Sequence, residues 1–338
     1  MTLRINLALQ GGGAHGAFTW GVLDRLLDED DLEIAGISGT SAGALNGAAL
    51  KAGLLEGGRE GARENLDWLW HEVAGIGDLR LVDWMSALFP APGMISRGIE
   101  YSLPYSLADA ATRVFSPYAY GPFYRNPLTS VVRRFHYDAV CASEGPAFYV
   151  CATNVRTGKI RVFSGEEITT DAILASACLP TLFQAVEIEG ESYWDGGYTG
   201  NPALFPLFDP ALPDDIVIVN INPLERTEVP TDAPGILNRI NEISFNSSLL
   251  RELRAIGFVQ RLLRDGKIDE GAMKDVKVHM IADDALMSEL GIATKLVPTP
   301  SVISALKEAG QKAADAFLAD HRDVIGKSSS TDLAERYG

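Results

Sequence analysis

The chain has 338 residues, of which 46% are hydrophobic and 22% charged, and its formal net charge is -16. A chain of this length and composition can bury a large core as one big domain or two closely joined domains. The negative charge argues against binding nucleic acid or an anionic bilayer by bulk electrostatics, because either would be repelled by the average surface. An uncharged or locally hydrophobic substrate fits this charge better.

The cysteines and the N-terminal sequence predict a reduced, cytoplasmic protein. The three cysteines are scattered, and none belongs to a Cys-x-x-Cys pair, so no disulfide framework is expected. The first residues contain no basic segment followed by an apolar stretch, and no apolar run is long enough to span a membrane. We therefore expect a cytoplasmic location.

The first predicted unit is a strand, a glycine loop and a helix. Residues 4–10 alternate in the manner of a strand, residues 11–16 read Gly-Gly-Gly-Ala-His-Gly, and residues 14–27 predict a helix. Residues 33–38 predict a second strand. The right-handed crossover rule makes the second strand parallel to the first.

The glycine loop over 11–16 allows several interpretations. Its Gly-x-Gly-x-x-Gly pattern is typical of a dinucleotide-binding loop, in which Gly11, Gly13 and Gly16 would approach the cofactor. That fold needs an acidic residue at the far end of the second strand, where this chain has Ser38. A P-loop would need Gly-Lys-Ser/Thr, which is missing here. Consecutive glycines also expose backbone N–H groups and can form an oxyanion hole, or they simply let a helix pack closely on a strand.

Residues 39–43, Gly-Thr-Ser-Ala-Gly, have the Gly-x-Ser-x-Gly pattern of a nucleophile elbow. A serine on a sharp strand-to-helix turn needs glycines such as Gly39 and Gly43 beside it, because a Cβ there would crowd the turn. Ser41 would stand at the first turn of the next helix, near free N–H groups and a partial positive charge. A tight turn without chemistry is the alternative interpretation.

Residues 53–74 predict a helix, and residues 76–127 then lose regularity, with six prolines and many aromatic residues. A stretch this apolar is unlike a disordered linker. It predicts an insertion that covers the site as a lid or lines an acyl pocket, with an ordinary satellite core as the alternative.

The remainder of the chain alternates between strands and helices. Strands are predicted over 147–153, 159–163, 183–188, 214–220 and 277–281, and helices over 169–177, 236–264 and 301–318. The polar residues 327–338 predict a frayed tail.

A serine nucleophile needs a base, and no histidine is well placed to be one. His279 lies inside a predicted strand, and His321 follows the last predicted helix, whereas an α/β-hydrolase triad places its histidine in a loop after the last strand. Asp195 precedes two glycines at a sharp turn, although Asp-Gly is also the commonest turn dipeptide. What remains is a direct pair in which Asp195 accepts the proton of Ser41.

Four motifs in order resemble the patatin-like phospholipases. They are the glycine loop 11–16, the elbow 39–43, Ala-Ser-Ala-Cys-Leu-Pro at 175–180 and Asp-Gly-Gly at 195–197, and the resemblance covers about residues 4–223. It implies a three-layer α/β/α sandwich with a mostly parallel central sheet. It also implies a lipid acyl hydrolase of the phospholipase A, lysophospholipase or esterase type, with a Ser-Asp dyad and neither metal nor cofactor.

The resemblance assigns roles to particular residues. Ser41 would be the nucleophile and Asp195 its base. The amides of Gly11, Gly12 and Gly13, chiefly the last two, would form the oxyanion hole. Supporting roles would fall to His15, Gly16, Gly39, Gly43, Gly196 and Gly197.

One departure from the family pattern concerns His15, which stands where the family usually has Arg or Lys. An imidazole titrates near neutral pH, so this replacement predicts a pH-sensitive glycine loop.

The resemblance also suggests the organisation of the chain. Residues 1–223 would form the catalytic domain, and residues 224–326 a mostly helical C-terminal extension, packed on the core and similar to one found in some bacterial members. The amphipathic helix 236–264 could pack on its own core, support a homodimer or make transient contact with a lipid surface. The expected substrate is a lipid or another acyl ester. A dinucleotide-binding oxidoreductase and a non-catalytic interaction protein on the same scaffold stay open as alternatives.

Overall fold

A computed structural model describes residues 2–76, 92–100, 116–269 and 271–333. The centre of the fold is a mixed sheet of eight strands, arranged in the order β5-β6-β3-β2-β1-β7-β8, with β4 paired to β3. The strands are β1 (Leu3–Leu9), β2 (Leu32–Thr40), β3 (Ala147–Asn154), β4 (Ile160–Ser164), β5 (Val186–Ile188), β6 (Glu191–Asp195), β7 (Asp215–Asn220) and β8 (Lys277–Ala282). Strands β3, β2, β1, β7 and β8 run parallel, and β4, β5 and β6 pair in antiparallel fashion.

The helices in the described part of the chain flank this sheet. They are α1 (Gly16–Leu26), α2 (Ala42–Ile76), α3 (Pro92–Glu100), α4 (Thr129–Val132), α5 (Tyr137–Val140), α6 (Thr170–Ser176), α7 (Ala233–Arg264), α8 (Asp284–Glu289), α9 (Ile292–Leu296) and α10 (Pro300–His321). Short 3-10 turns lie at Gly13–His15, Pro117–Phe123, Gly165–Glu167, Gly196–Tyr198, Phe205–Phe208 and Arg322–Val324. No helix among the described residues is long and apolar enough to cross a bilayer.

The alternating strand residues produce two separate cores. Leu7, Leu9 and Val219 face α1, α2 and α10 in the larger core. Ala8 and Ile218 point to the opposite face, where they pack against residues of α7. Since neighbouring residues of a strand point to opposite faces, each buried strand needs a helical layer on both sides. The predicted three-layer α/β/α sandwich is therefore confirmed.

The parallel pairing of β1 and β2 brings the two glycine motifs together. Leu9 pairs with Gly39, so the glycine loop after β1 and the elbow after β2 leave the same edge of the sheet. Parallel strands in an α/β sheet end at a common edge, which is where such folds place their ligand sites. The predicted parallel arrangement is confirmed, and it positions residues 11–13 beside Ser41.

The position of β6 brings a distant residue to the same edge. Cys151 of β3 pairs with Thr40 of β2, and the next residue, Ala152, pairs with Asp195 of β6. Strand β4 occupies the other edge of β3 at both positions. Strands β2 and β6 therefore follow one another along the same edge of β3, and their carboxyl ends meet.

The C-terminal part of the chain completes the sheet and one helical layer. Strand β8 pairs with β7 along its whole length, from Asp215–Lys277 to Asn220–Ala282. Helix α10 crosses α1 at Gly21 and Gly310, where any Cβ would overlap the backbone of the opposite helix. Residues after 223 thus share the sheet and the core of the residues before it.

Three predictions differ from the structure in detail. The two helices expected after the elbow, over about 42–50 and 53–74, are present within α2, but the break between them lies at Gly57 and Gly58, where the backbone is not helical. The strand predicted over 183–188 begins at Val186, because the residues before it form a loop.

The third difference concerns the tail. Ser330 N–H donates to the Val278 carbonyl and Leu333 is buried in the second core, so residues 327–333 are docked rather than frayed. Residues 334–338 lie outside the described residues. Much of the aromatic insertion predicted over 76–127 also lies outside them, at 77–91 and 101–115.

Candidate active site

Ser41 occupies the turn between β2 and α2 in a left-handed backbone conformation, with φ of 54°. Such a conformation costs a residue other than glycine on the order of 1–3 kcal/mol and recurs at functional turns. The flanking glycines are required by close backbone approach. A Cβ on Gly39 would lie 2.6 Å from the Gly43 carbonyl oxygen, and a Cβ on Gly43 would overlap the Leu9 carbonyl. The structure of residues 39–43 is that of a nucleophile elbow.

Asp195 is held in place through its backbone. Its N–H donates to the Cys178 carbonyl at 2.8 Å, and its carbonyl accepts a hydrogen bond from Thr153 Oγ1 at 2.8 Å. Oδ1 of the side chain accepts the Gly197 N–H at 2.7 Å. Oδ2 is buried and makes no hydrogen bond of normal geometry to any described residue. One carboxylate oxygen is therefore fixed, while the other is free to receive a proton.

Burial raises the pKa of Asp195 to about 7, while the Gly197 amide and the Ser41 hydroxyl oppose this rise. The carboxyl ends of β2 and β6 meet at this point, so Ser41, which follows β2, and Asp195, which ends β6, are neighbours. The Asp195 side chain is 1% exposed and has no cationic partner among the described ion pairs. Its carboxylate is thus a stronger base than an ordinary aspartate, with a pKa close to neutral pH.

The segment 175–180 connects the two residues. Ser176 Oγ accepts the Ser41 N–H at 2.9 Å, and Cys178 supplies the carbonyl that binds the Asp195 N–H. The Ser176 hydroxyl therefore holds Ser41, and the Cys178 backbone, two positions later, holds Asp195. This contact explains why the segment belongs to the site.

The glycine loop differs from its prediction at one amide. The Gly11 N–H donates to Asn201 Oδ1 at 2.6 Å, so it is occupied and is unavailable to a substrate oxyanion. Gly12 and Gly13 donate their N–H groups to no acceptor in the described part of the chain. The loop lies against the elbow, since a Cβ on Gly11 would lie 2.7 Å from Ser41 Cβ. The amides available to an oxyanion are therefore those of Gly12 and Gly13.

Helix α9, in the C-terminal part of the chain, contacts the glycine loop. Any Cβ on Gly13 would overlap the Lys295 carbonyl, and Gly13 has φ of 58°. His15 is 1% exposed, and its Nε2 is 2.9 Å from Thr294 Oγ1. Burial, reinforced by the nearby Lys295, holds the pKa of His15 well below its usual value. The predicted pH sensitivity of His15 near neutrality is therefore wrong, because the ring is neutral there.

Gly196 and Gly197 also satisfy packing at the site. A Cβ on Gly196 would overlap the Cys151 carbonyl, and one on Gly197 would overlap the Phe245 ring of α7. Gly16 packs against Ala42 at the first turn of α2, with its Cβ position 2.6 Å from Ala42 Cβ. The glycines of the site are thus places where two segments approach closely.

An apolar cavity of about 140 Å³ opens beside Ser41. Apart from Ser41 and Lys295, the residues around it are apolar: Gly13, Ala14, Ala42, Leu45, Trp70, Val73, Pro127, Leu128, Ala177, Leu179, Leu182, Phe183, Leu296 and Pro298. A larger and more open groove of about 1080 Å³, near Lys51 and Cys141, contains neither Ser41 nor Asp195. The small cavity is therefore the one placed for a group bonded to Ser41.

Four of the five histidines make their contacts away from the Ser41 hydroxyl. His279 Nε2 pairs with Asp215 Oδ1 at 2.9 Å within the sheet, and the His321 ring lies against Phe317 on α10. Neither His71 nor His136, both on the surface, is bonded to the site. That Asp195 acts on Ser41 without a histidine stays a prediction.

Four polar residues of the site were not singled out from the sequence: Ser176, Asn201, Asn222 and Lys295. Asn222 follows β7, whose carboxyl end lies beside that of β1, so the common edge of parallel strands could have suggested it. Lys295 follows no strand and belongs to no motif. Its position depends on how α9 packs.

The fold and the site define a three-layer α/β protein in which a serine elbow faces a buried carboxylate. The chain belongs to the patatin-like phospholipase family. The sequence model of that family matches residues 7–208, which is more than half of the chain. The resemblance seen in the sequence is thereby confirmed, and family membership supports lipid acyl hydrolysis as the general function. No match is found among curated proteins. Among solved structures, VipD from Legionella pneumophila is similar, with 14% identity and a TM-score of 0.44, over 100% of this chain and 73% of that chain.

Proposed function

We propose that this protein hydrolyses the carboxylic ester bonds of lipids through a Ser41–Asp195 dyad and an acyl-enzyme intermediate. The observation that carries the proposal is the meeting of a strained serine elbow with a buried carboxylate, whose Oδ1 is held by the Gly197 amide and whose charge the Ser41 hydroxyl stabilises. A base with a pKa of about 7 suits proton transfer at neutral pH. Removing the serine proton is the step that an ester hydrolase of this kind needs.

In the first half of the reaction, Ser41 Oγ attacks the ester carbonyl carbon while Asp195 Oδ2 accepts the hydroxyl proton. The carbonyl oxygen takes up the negative charge and receives hydrogen bonds from the Gly12 and Gly13 amides. The bond to the alcohol oxygen then breaks, and Asp195 returns the proton to that oxygen. The products of this half are a free alcohol and an acyl group esterified to Ser41.

In the second half, Asp195 accepts a proton from water as the water oxygen attacks the acyl carbon. The Gly12 and Gly13 amides stabilise the second oxyanion as they did the first. The bond between Ser41 Oγ and the acyl carbon breaks, and Asp195 gives its proton back to Ser41. A free carboxylic acid leaves, and the site returns to its starting state.

The apolar cavity beside Ser41 supports an acyl chain as the group bound there. An apolar cavity of about 150 Å³ holds a benzene molecule, so the 140 Å³ described here has room for a segment of about six carbons. Polar groups in such a cavity would lose their hydrogen bonds to water. We therefore infer esters of apolar acyl chains as substrates.

The dinucleotide interpretation of residues 11–16 has less support. Protein atoms leave no room for a side chain at the three glycines of this pattern. Ser41 lies against Gly11, Lys295 against Gly13 and Ala42 against Gly16. These contacts occupy the space that a cofactor pyrophosphate would need close to the loop. Hydrolysis and labelling measurements distinguish an ester hydrolase from a non-catalytic protein on the same scaffold.

The test is hydrolysis of a chromogenic medium-chain ester, together with labelling by a fluorophosphonate probe, which reacts with activated serines. We expect the purified protein to turn over the ester and to be labelled, and Ser41→Ala to lose both properties. Ser328→Ala serves as the matched control, because Ser328 is exposed and lies outside the site. Full activity or labelling in Ser41→Ala would overturn the assignment, and an unreactive wild-type protein would favour the non-catalytic role.

A further inference from the structure

We propose that Lys295 is a positioning residue of this site, which acts through Asn222 to orient and polarise the Gly11–Gly12 peptide. The N–H of that peptide is one of the two amides assigned above to the oxyanion. The inference rests on the proposed function, because it concerns the stabilisation of that oxyanion. It adds a residue from the C-terminal part of the chain, beyond the region matched by the family.

The ammonium group of Lys295 has few hydrogen-bonding and ionic partners among the described residues. Its Nζ donates one hydrogen bond, to Asn222 Oδ1 at 2.9 Å, and forms no ion pair with a carboxylate in the described part of the chain. The carboxylate whose charge acts on it is that of Glu242, which is already paired with Arg226 and Arg239. The positive charge of Lys295 is thus left for Asn222 and for the contents of the cavity that it lines.

Asn222 passes the interaction on to the glycine loop. Its Nδ2 donates to the Gly11 carbonyl at 2.8 Å, a shorter bond than the one of 3.3 Å that Asn201 Nδ2 donates to the same carbonyl, and lies 3.2 Å from Gln10 Oε1. The Gly11 carbonyl and the Gly12 N–H belong to one planar trans peptide, in which the two groups point in opposite directions. A hydrogen bond to the carbonyl therefore fixes the direction of the Gly12 N–H.

The same chain of hydrogen bonds strengthens the Gly12 amide as a donor. Linked hydrogen bonds polarise one another in the low dielectric of a protein interior. A cation at the start of the chain draws electron density from Asn222, then from the Gly11 carbonyl, and so makes the Gly12 N–H more positive. Stabilisation of this kind grows as negative charge develops on the substrate oxygen, so it favours the transition state over the bound ester.

The backbone of Lys295 also helps to position the glycine loop. Its carbonyl lies against Gly13, so the residue fixes the position of the loop while its side chain reaches Asn222. Thr294, the preceding residue, holds His15 at the end of the loop. Helix α9 therefore contacts the loop at Gly13 and at His15.

The charge of Lys295 depends on pH in the range where the enzyme would work. Burial is the main cause that lowers the pKa of Lys295 to about 8, and Arg226 lowers it further while Glu242 opposes both. His15, the titratable group facing it from the glycine loop, is neutral near pH 7. We expect kcat to fall as the pH rises through about 8, because Lys295 loses its proton and no longer polarises Asn222 and the Gly11–Gly12 peptide.

The experiment compares Lys295→Met, Lys295→Arg and the exposed control Lys312→Met in ester hydrolysis, with the melting temperature of each variant. Lys295→Met should lower kcat by about 10-fold to 100-fold, less than the loss of a direct oxyanion donor, with KM little changed. Its melting temperature should change little, since relief from burying the ammonium offsets the loss of the donor to the buried Asn222 Oδ1. Lys295→Arg should retain most of the activity and lose the alkaline decline, because arginine stays charged. Lys312→Met should match the wild type.

Unchanged kcat in Lys295→Met would overturn the proposal, and so would a rise in KM alone, which would indicate substrate binding. If Lys295→Met fails to fold, a wild-type kcat that is constant between about pH 7.5 and 9.5 overturns it instead. Failure of the proposed function is recognised separately, because the wild-type protein would then show no Ser41-dependent hydrolysis or labelling.

Discussion

Two buried carboxylates in this protein have opposite surroundings. Asp195 and Glu242 are each 1% exposed. Oε2 of Glu242 accepts hydrogen bonds from Arg226 at 2.8 Å and Arg239 at 3.2 Å, and Oε1 accepts one from Asn238 at 3.0 Å, so its charge is balanced and both of its oxygens are occupied. Asp195 has the Gly197 amide on one oxygen and no cationic partner among the residues that the structure describes.

The difference separates a structural carboxylate from a reactive one. A carboxylate between two guanidinium groups is stable as an anion, and it joins the segment after β7 to α7. A buried carboxylate without a cation holds a proton more readily, as the raised pKa of Asp195 shows. Burial alone therefore does not tell what a carboxylate does, whereas its partners do.

The largest expected effect is on catalysis by Asp195→Asn. The amide can replace the carboxylate in shape and still accept the Gly197 N–H, but it cannot take the Ser41 proton. We expect kcat to fall by about 1,000-fold or more, measured with the chromogenic ester. Glu242→Gln should keep the dyad chemistry, so a comparable loss of kcat in a folded Glu242→Gln would contradict the distinction between the two carboxylates.

Stability should change in opposite directions in the two variants. Glu242→Gln leaves two arginines without their anion and should cost about 3 kcal/mol of unfolding free energy. The raised pKa of Asp195 means that the native state keeps a proton that the unfolded chain loses near pH 4, so stability falls as the pH rises from about 4 to 7. Asp195→Asn removes this cost and should stabilise the protein at pH 8 by up to about 4 kcal/mol.

Urea unfolding at pH 8 measures both changes. The stabilisation by Asp195→Asn should shrink as the pH is lowered towards 4, because the wild-type carboxyl is then protonated in both states. Destabilisation by Asp195→Asn at pH 8 would mean that the carboxylate has a favourable partner in the native protein.

The pH dependence of the wild-type enzyme gives the next effect. Asp195 must be ionised to act as a base, so kcat/KM should rise about tenfold per pH unit below pH 7 and level off between about pH 7 and 8, where the alkaline decline expected from Lys295 begins. A midpoint near pH 4, the ordinary value of an aspartate, would show that the buried carboxylate is better solvated or paired than the structure indicates.

The smallest expected effect concerns His15. Its pKa is held well below the usual value, so His15→Gln should leave the midpoint of the acidic limb near pH 7 unchanged, whatever it does to the absolute rate. A shift of that midpoint by a pH unit in His15→Gln would assign the limb to the imidazole instead of Asp195.

Local sequence patterns predicted much of the fold because they reflect local physics. The alternating strands, the helix periodicity and the two glycine motifs fixed β1, β2, β7 and the elbow, and the parallel pairing followed from the handedness of the crossover. The docked tail at residues 327–333 was missed, because its polar residues bond to β8 and Gln260 through contacts distant in sequence.

The candidate site divides in the same way. The sequence by itself pointed to Ser41, because the elbow is a local motif, and to Asp195, because two glycines follow it and no histidine is well placed. Only the tertiary structure decided that β6 ends against β2, that Asn201 occupies the Gly11 amide and that Lys295 reaches Asn222. Steric needs of a turn are written in neighbouring residues, whereas the charge, burial and partners of a side chain depend on segments that meet only when the chain has folded.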